Sequence, residues 1–153
     1  MTLSKNTVHA ILVIDDDMDD YELIAEAVKD IDPDITVSYF NYSEQAKIAE
    51  INAFDVVFLD INMPKQDGFH WLKSIREIGN KRLPVVVYTN SMSDINISRA
   101  YNEGANLYFS KPENYNSLLK GLKEIIEMDW SDPASVTKKY FQDGKYSTFD
   151  LSR

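Results

Sequence analysis

Five short apolar runs punctuate the chain: Ala10 to Ile14, Ile35 to Phe40, Val56 to Leu59, Pro84 to Tyr88, and Leu107 to Phe109. Several are unbroken rather than alternating and rich in β-branched residues, which is how strands covered on both faces read. The second run, Ile35-Thr36-Val37-Ser38-Tyr39-Phe40, alternates better and so predicts an edge strand. Between the runs the apolar positions switch to helical spacing. Tyr21, Leu23, Ile24, Ala27, Val28 and Ile31 mark a first helix that ends before Pro33. Ala46, Ile48, Ala49 and Ile51 mark a second, with Ser43 as its N-cap. Phe69, Leu72, Ile75 and Ile78 mark a third, closed by Gly79. A fourth, the least apolar, runs from about Ser93 to Asn102 and ends at Gly104, and a fifth carries the stripe Leu118, Leu119, Leu122, Ile125 and Ile126.

Strand and helix therefore alternate five times, which predicts an α/β domain of right-handed βαβ units around a mostly parallel sheet. The connections are short, and no domain boundary shows before residue 130. The expected division is a domain over 1–129, with its core at about 8–129, and a C-terminal tail over 130–153. In the tail, Ser131-Asp132-Pro133 is a helix start with Pro at the first helical position, and Gly144 is a stop. A short helix over about 133–143 is expected, with Val136 and Tyr140 on one face. Trp130, Tyr140, Phe141, Tyr146 and Phe149 make the tail dense in aromatics. They are expected to dock on the domain and to extend a partner or dimer surface beside the fifth helix.

Composition narrows the function. The chain has 153 residues, 44% of them hydrophobic, which suits one domain with a packed core. Its net charge of -9 repels nucleic acid and anionic membranes, and favours cations and basic protein surfaces. The absence of cysteine excludes disulfides, thiolate catalysis and Cys-ligated zinc. The first ten residues lack the apolar stretch of a signal peptide, and no run reaches the roughly 20 residues of a membrane helix. A soluble cytoplasmic protein is expected, with neither nucleic acid nor membrane as partner.

In a parallel α/β sheet the chemistry gathers at the carboxyl ends of the strands. The first run is followed by Asp15, Asp16 and Asp17, the third by Asp60, the fourth by Thr89, Asn90 and Ser91, and the fifth by Lys111. Clustered carboxylates repel unless a cation intervenes. Mg²⁺ takes hard oxygen ligands, and Asp15, Asp16 and Asp60 can supply them. One carboxylate can then act as a nucleophile toward phosphorus, Lys111 can offset phosphoryl charge, and Thr89 can donate to a phosphoryl oxygen. Asp17, Asp19 and Asp20 read instead as the solvated first turn of a helix, where acids meet the positive end of the dipole. His9 and His70 read as structural.

With those residues in view, the chain resembles the receiver domain of two-component response regulators, in its single-domain, chemotaxis-regulator-like form. The resemblance spans roughly residues 8–129. It rests on Ile11-Leu12-Val13-Ile14-Asp15-Asp16, on Phe58-Leu59-Asp60-Ile61-Asn62-Met63-Pro64 followed by Asp67-Gly68, on Val85-Val86-Val87-Tyr88-Thr89, and on Tyr108-Phe109-Ser110-Lys111-Pro112. It implies a flavodoxin-like (βα)5 fold, a doubly wound five-stranded parallel sheet with helices on both faces. It implies that Asp60 accepts the phosphoryl group and that Asp15 and Asp16, with the Asn62 backbone carbonyl, hold Mg²⁺. Thr89 and Lys111 would bind phosphoryl oxygens, and Tyr108 stands at the family's aromatic switch position. The implied donor is a sensor histidine kinase or a histidine phosphotransfer protein. The implied output is a change of protein partner, a second copy included, on the face made by the fourth helix, the fifth strand and the fifth helix. Such a module is a phosphoacceptor switch and not an enzyme acting on a metabolite.

Two departures stand out. Asn90 follows the threonine where many receivers carry a small residue, and Glu113 follows Pro112 where Phe is frequent. Asn62, Asn90 and Ser91 occupy variable positions of the family and are expected to set the dephosphorylation rate. Two other readings compete. A haloacid-dehalogenase-type phosphatase would use Asp15-Asp16-Asp17 but leaves Asp60 to Pro64 unexplained. A pseudo-receiver would bind partners without phosphorylation.

Overall fold

The computed structural model describes residues 8–41, 45–62, 68–78 and 82–150. The expected caps Ser43 and Gly79, and Met63, Pro64 and Asp67 of the second motif, lie outside the described residues. The apolar runs become β1 (Ala10–Ile14), β2 (Thr36–Phe40), β3 (Val56–Leu59), β4 (Val85–Thr89) and β5 (Leu107–Ser110). They form one parallel sheet in the order β2-β1-β3-β4-β5. Every residue of β3 and β4 is buried, as is β1 beyond Ala10, because these inner strands are covered on both faces. In β2 only Phe40 is buried, which fits the alternation and the edge position.

On one side of the sheet α1 (Met18–Ile31) packs against α4 (Tyr115–Ile126). Elsewhere α2 (Gly68–Ile78) packs against a 3₁₀ helix over Gln45–Ala53, and α3 (Asp94–Asn102) lies against β5. The fold is the flavodoxin-like one. Side-chain caps fix three of the helix starts: Asp17 accepts from the Asp19 N–H, Ser93 from Asn96, and Asn114 from Ser117. Inside α4 a glycine is required, because a Cβ on Gly121 would stand 2.6 Å from the Phe109 ring.

The second helix is not an α-helix. Ile48 and Ile51, three residues apart, eclipse at three residues per turn. The 3₁₀ form therefore turns both toward the core, with Ile51 fully buried.

The tail differs from expectation in its secondary structure. Its helix, α5 (Pro133–Lys138), stops five residues short of Asp143. A two-stranded hairpin follows, β6 (Phe141–Gln142) and β7 (Lys145–Tyr146). The turn residues Asp143 (φ 55°) and Gly144 (φ 74°) are both left-handed, the pattern of a type I′ turn, so Gly144 closes a hairpin and not a helix. The tail docks on the domain: Trp130, Val136, Tyr140 and Phe149 are buried members of the core, and Phe141 is the only aromatic of the five that is exposed. The tail covers the outer edge of β5. The Phe149 N–H donates to the Tyr108 carbonyl at 2.7 Å, the Tyr108 N–H donates to the Tyr101 hydroxyl, and that hydroxyl donates to the Ser147 carbonyl. Edge backbone groups that would otherwise invite another strand are thereby satisfied within the chain.

Candidate functional site

The register of the sheet builds the site. Ile14 pairs with Leu59, so the residues that follow, Asp15 and Asp60, emerge side by side at the carboxyl edge. The Asp60 N–H donates to the Ile14 carbonyl at 3.0 Å. Thr89 pairs with Ser110, and the Lys111 N–H donates to the Thr89 carbonyl at 2.8 Å. This edge is the topological switch point, where β1 leads outward to β2 on one side while β3, β4 and β5 step away on the other.

Lys111 is the centre of the cluster. Its Nζ lies 2.6 Å from Asp20 Oδ2, 2.8 Å from Asp60 Oδ2 and 3.5 Å from Asp15 Oδ2. Asp15 and Asp60 are 1% and 5% exposed, so their charges need partners. The second oxygen of each is held by backbone: Asp15 Oδ1 accepts from the Asp17 N–H and Asp60 Oδ1 from the Asn62 N–H, both at 2.9 Å. One carboxylate oxygen from each of Asp15, Asp20 and Asp60 lies within 4.8 Å of the others. Burial pushes the Asp15 carboxyl up to about 7, against the opposing pull of the Asp17 N–H and Lys111. Burial alone would lower Lys111, but its hydrogen bonds to Asp20 and Asp60 outweigh that and raise it.

Of the residues singled out in the sequence, Asp15, Asp60, Thr89 and Lys111 gather at this edge. Thr89 is fully buried, and its hydroxyl has no hydrogen-bond partner among the described residues. Asp16 is exposed and stands outside the three-carboxylate group. Asp20 stands inside it, although the sequence read it as a solvated helix start. Asn62 and Asn90 are exposed, and Ser91 is half-buried. Tyr108 is fully buried, its hydroxyl donating to the Ser91 carbonyl at 2.9 Å. Burial raises that phenol, and the Ser91 bond opposes the rise.

Three carboxylates facing one ammonium are a donor set of hard oxygens with charge to spare, which suits a divalent cation of the Mg²⁺ or Mn²⁺ kind. The state of Asp15 gives a pH signature. Its folded-state value of about 7 lies above its ordinary 3.8, so the metal-free folded protein holds a proton that the unfolded chain releases. The Asp15 contribution to stability therefore falls as pH rises from about 4 to about 7 and is flat above. A cation that uses Asp15 must displace the proton. Titration calorimetry with Mg²⁺ at pH 6, in two buffers of different ionisation heat, is expected to show proton release that vanishes near pH 8.5.

Residues 11–123 match the family described as response regulator receiver domain. The chain belongs to that family. Among its relatives is the response regulator Rcp1 of a Synechocystis species, 27% identical over 145 residues that cover 89% of this chain and 98% of Rcp1. Several other curated relatives are longer, the matched stretch covering 62% of a GraR response regulator and 26% of a ZraR regulatory protein. Of solved structures, this receiver is similar to the phosphorylated cyanobacterial phytochrome response regulator RcpA, at 29% identity and a TM-score of 0.69. That match covers 81% of this chain and 95% of the other. It is also similar to the Mn²⁺-bound form of Rcp1, at 27% identity and a TM-score of 0.62, over 76% of this chain and 90% of the other. This is a receiver of two-component signalling, a family whose members take phosphoryl groups from histidine kinases.

Proposed function

We propose that this receiver is a cytoplasmic, stand-alone switch that accepts one phosphoryl group on Asp60 with Mg²⁺ bound, and that its output is a change of protein partner. The observation that carries the reading is the buried Asp60 carboxylate held 2.8 Å from Lys111, beside Asp15 and near the end of the strand that carries Thr89, whose buried hydroxyl has no partner among the described residues. Similarity to nearly the whole length of Rcp1 supports the stand-alone form. The Mn²⁺-bound relative supports a divalent cation.

In the proposed step an oxygen of Asp60 attacks the phosphorus of a phosphohistidine on a kinase or phosphotransfer protein. A P–O bond forms, the P–N bond breaks, and its electron pair leaves with the imidazole. Lys111 offsets charge on one phosphoryl oxygen, and the Thr89 hydroxyl donates to another. Asp15, Asp16, Asp60 and the Asn62 carbonyl would hold Mg²⁺, directly or through water. The ion, when bound, draws charge off the phosphoryl group. Movement of Thr89 toward that group would strain the chain two residues on, where the Ser91 carbonyl holds the hydroxyl of Tyr108. That link gives Tyr108 its proposed switch role and connects the site to the face of α3, β5 and α4, over which the tail lies. Residues 8–129 then form the receiver proper, with 130–150 as an extension of its core. The exposed Asn62 and Asn90 and the half-buried Ser91 would govern water's access to the acyl phosphate.

The test is direct. With Mg²⁺ and a small acyl-phosphate or phosphoramidate donor, intact mass is expected to show one added phosphoryl group, absent under chelation and mapped to Asp60. Exchanging Asn62, Asn90 and Ser91 together is expected to change the decay of that adduct, and an unchanged decay would remove their proposed role. No adduct on folded protein with two donors would restore the pseudo-receiver reading. Turnover of a phosphate ester would restore the phosphatase, although Asp15-Asp16-Asp17 does not act as one unit here: Asp15 is buried and its two neighbours are exposed.

A further inference from the structure

We infer that Asp20 is a positioning residue that holds the Lys111 ammonium over Asp60; the inference rests on Asp60 as the phosphoacceptor. Lysine carries a compact charge on a flexible four-carbon stem, so a nearby backbone anchor does not fix its tip. The ammonium has three N–H donors, and three carboxylates surround it. The contact to Asp20 is the shortest of the three, at 2.6 Å against 2.8 Å for Asp60 and 3.5 Å for Asp15.

The three contacts have different fates during the reaction. Asp60 gives up its carboxylate charge when it becomes an acyl phosphate, and a cation at the site draws on Asp15 and Asp60. Asp20 reaches the ammonium from the first turn of α1, outside the strand ends that carry the other two. It therefore keeps Lys111 in place before, during and after transfer, leaving its remaining N–H groups for the phosphoryl oxygens. A plain helix-start acid would not need this geometry. Asp19, in the same turn, is exposed and meets the helix dipole equally well, whereas Asp20 is partly buried and paired with Lys111.

The test uses the full chain and the variants Asp20→Asn, Asp19→Asn, Lys111→Met and the double Asp20→Asn/Lys111→Met. The loss of one charge-assisted hydrogen bond corresponds to about tenfold, so Asp20→Asn is expected to slow Mg²⁺-dependent labelling by about that factor. Asp19→Asn is expected to leave the rate unchanged. In the Lys111→Met background, with Mg²⁺ supplying positive charge, Asp20→Asn is expected to have no further effect. A second readout needs neither metal nor donor. In lysine ε-carbon NMR spectra of metal-free protein, the Lys111 resonance, assigned by its loss in Lys111→Arg, is expected to stand apart in wild type and in Asp19→Asn. In Asp20→Asn it is expected to shift toward the exposed lysines. Equal slowing by Asp19→Asn would reduce Asp20 to a helix-start acid. Slowing that persists in the Lys111→Met background would make it a group acting on the cation instead. An unmoved Lys111 resonance in Asp20→Asn would overturn the inference outright. If wild type takes no phosphoryl group, the reading of Asp60 fails, and the NMR comparison still decides whether Asp20 holds Lys111.

Discussion

Asp60→Asn is expected to abolish phosphoryl acceptance while leaving the fold in place. An amide has the shape of the carboxylate but not its nucleophilic charge, so no acyl phosphate can form at that position. The structural effects nearly cancel. Both Asp60 oxygens now accept hydrogen bonds, one from the Asn62 N–H and one from Lys111. An amide can satisfy one of them and turns an NH₂ toward the other, which costs stability. Against this, removing one of three crowded carboxylates relieves repulsion, and Lys111 keeps Asp20 and Asp15. The melting midpoint is therefore expected to move by no more than about 4 °C, the shift that about 1 kcal/mol produces in a domain of this size. Intact mass after exposure to donor and Mg²⁺ gives the functional result. A surviving adduct would move the acceptor to Asp15 or Asp20.

How much of this could be read from the sequence depends on the range of the interaction that decides each feature. β1 and β3 begin and end where their apolar runs do, because burial on both faces leaves no other pattern for them. Asp15, Asp60, Thr89 and Lys111 were legible for the same reason: each directly follows or ends a strand, and parallel register brings strand ends together. Asp16 and Asp20 were harder. Which acid of the loop and first turn faces inward depends on the angle at which α1 leaves β1, and packing against α4 sets that angle, nearly a hundred residues away. The signal available in the sequence was weaker, namely that the first turn of a helix after a strand stays at that strand's carboxyl edge. Arg76 gave no local signal. Its guanidinium donates to the carbonyls of Leu83 and Gly104 and to Asn106 Oδ1, and burial lowers it to about 10. The hairpin was legible in principle, since Asp-Gly is the preferred pair for a type I′ turn. Gly144 is equally a helix stop, and taken so it carries the helix from Pro133 on to Asp143.

Removing the residues after Asp129 is expected to do more than trim a tail. Trp130 is 2% exposed, with its indole N–H donating to the Ile125 carbonyl at 2.9 Å. Replacing this residue alone with alanine is expected to cost about 3–5 kcal/mol, the usual range for a buried aromatic. Truncation also removes Val136, Tyr140 and Phe149 from the core, the ring contact of Phe149 with Phe109 at 5.3 Å, and the stacking of Tyr146 on Tyr101 at 4.5 Å. A domain has only about 5–15 kcal/mol of stability in total, so the truncated chain is expected to lie near its unfolding limit. Urea unfolding followed by circular dichroism should show a lowered midpoint for Trp130→Ala and no cooperative transition for the truncation. A truncated chain that unfolds at the wild-type midpoint would instead make residue 129 a true domain boundary. Truncation is for this reason a poor test of the tail as a partner surface. It uncovers the Tyr108 carbonyl and the β5 edge, and an uncovered edge pairs with other chains whether or not it is a natural interface. Phe141, 46% exposed at the start of the hairpin, is the position that can report on docking without opening the core. Phe141→Ser leaves the β5 cover in place, so a change in self-association there belongs to the tail's outer surface.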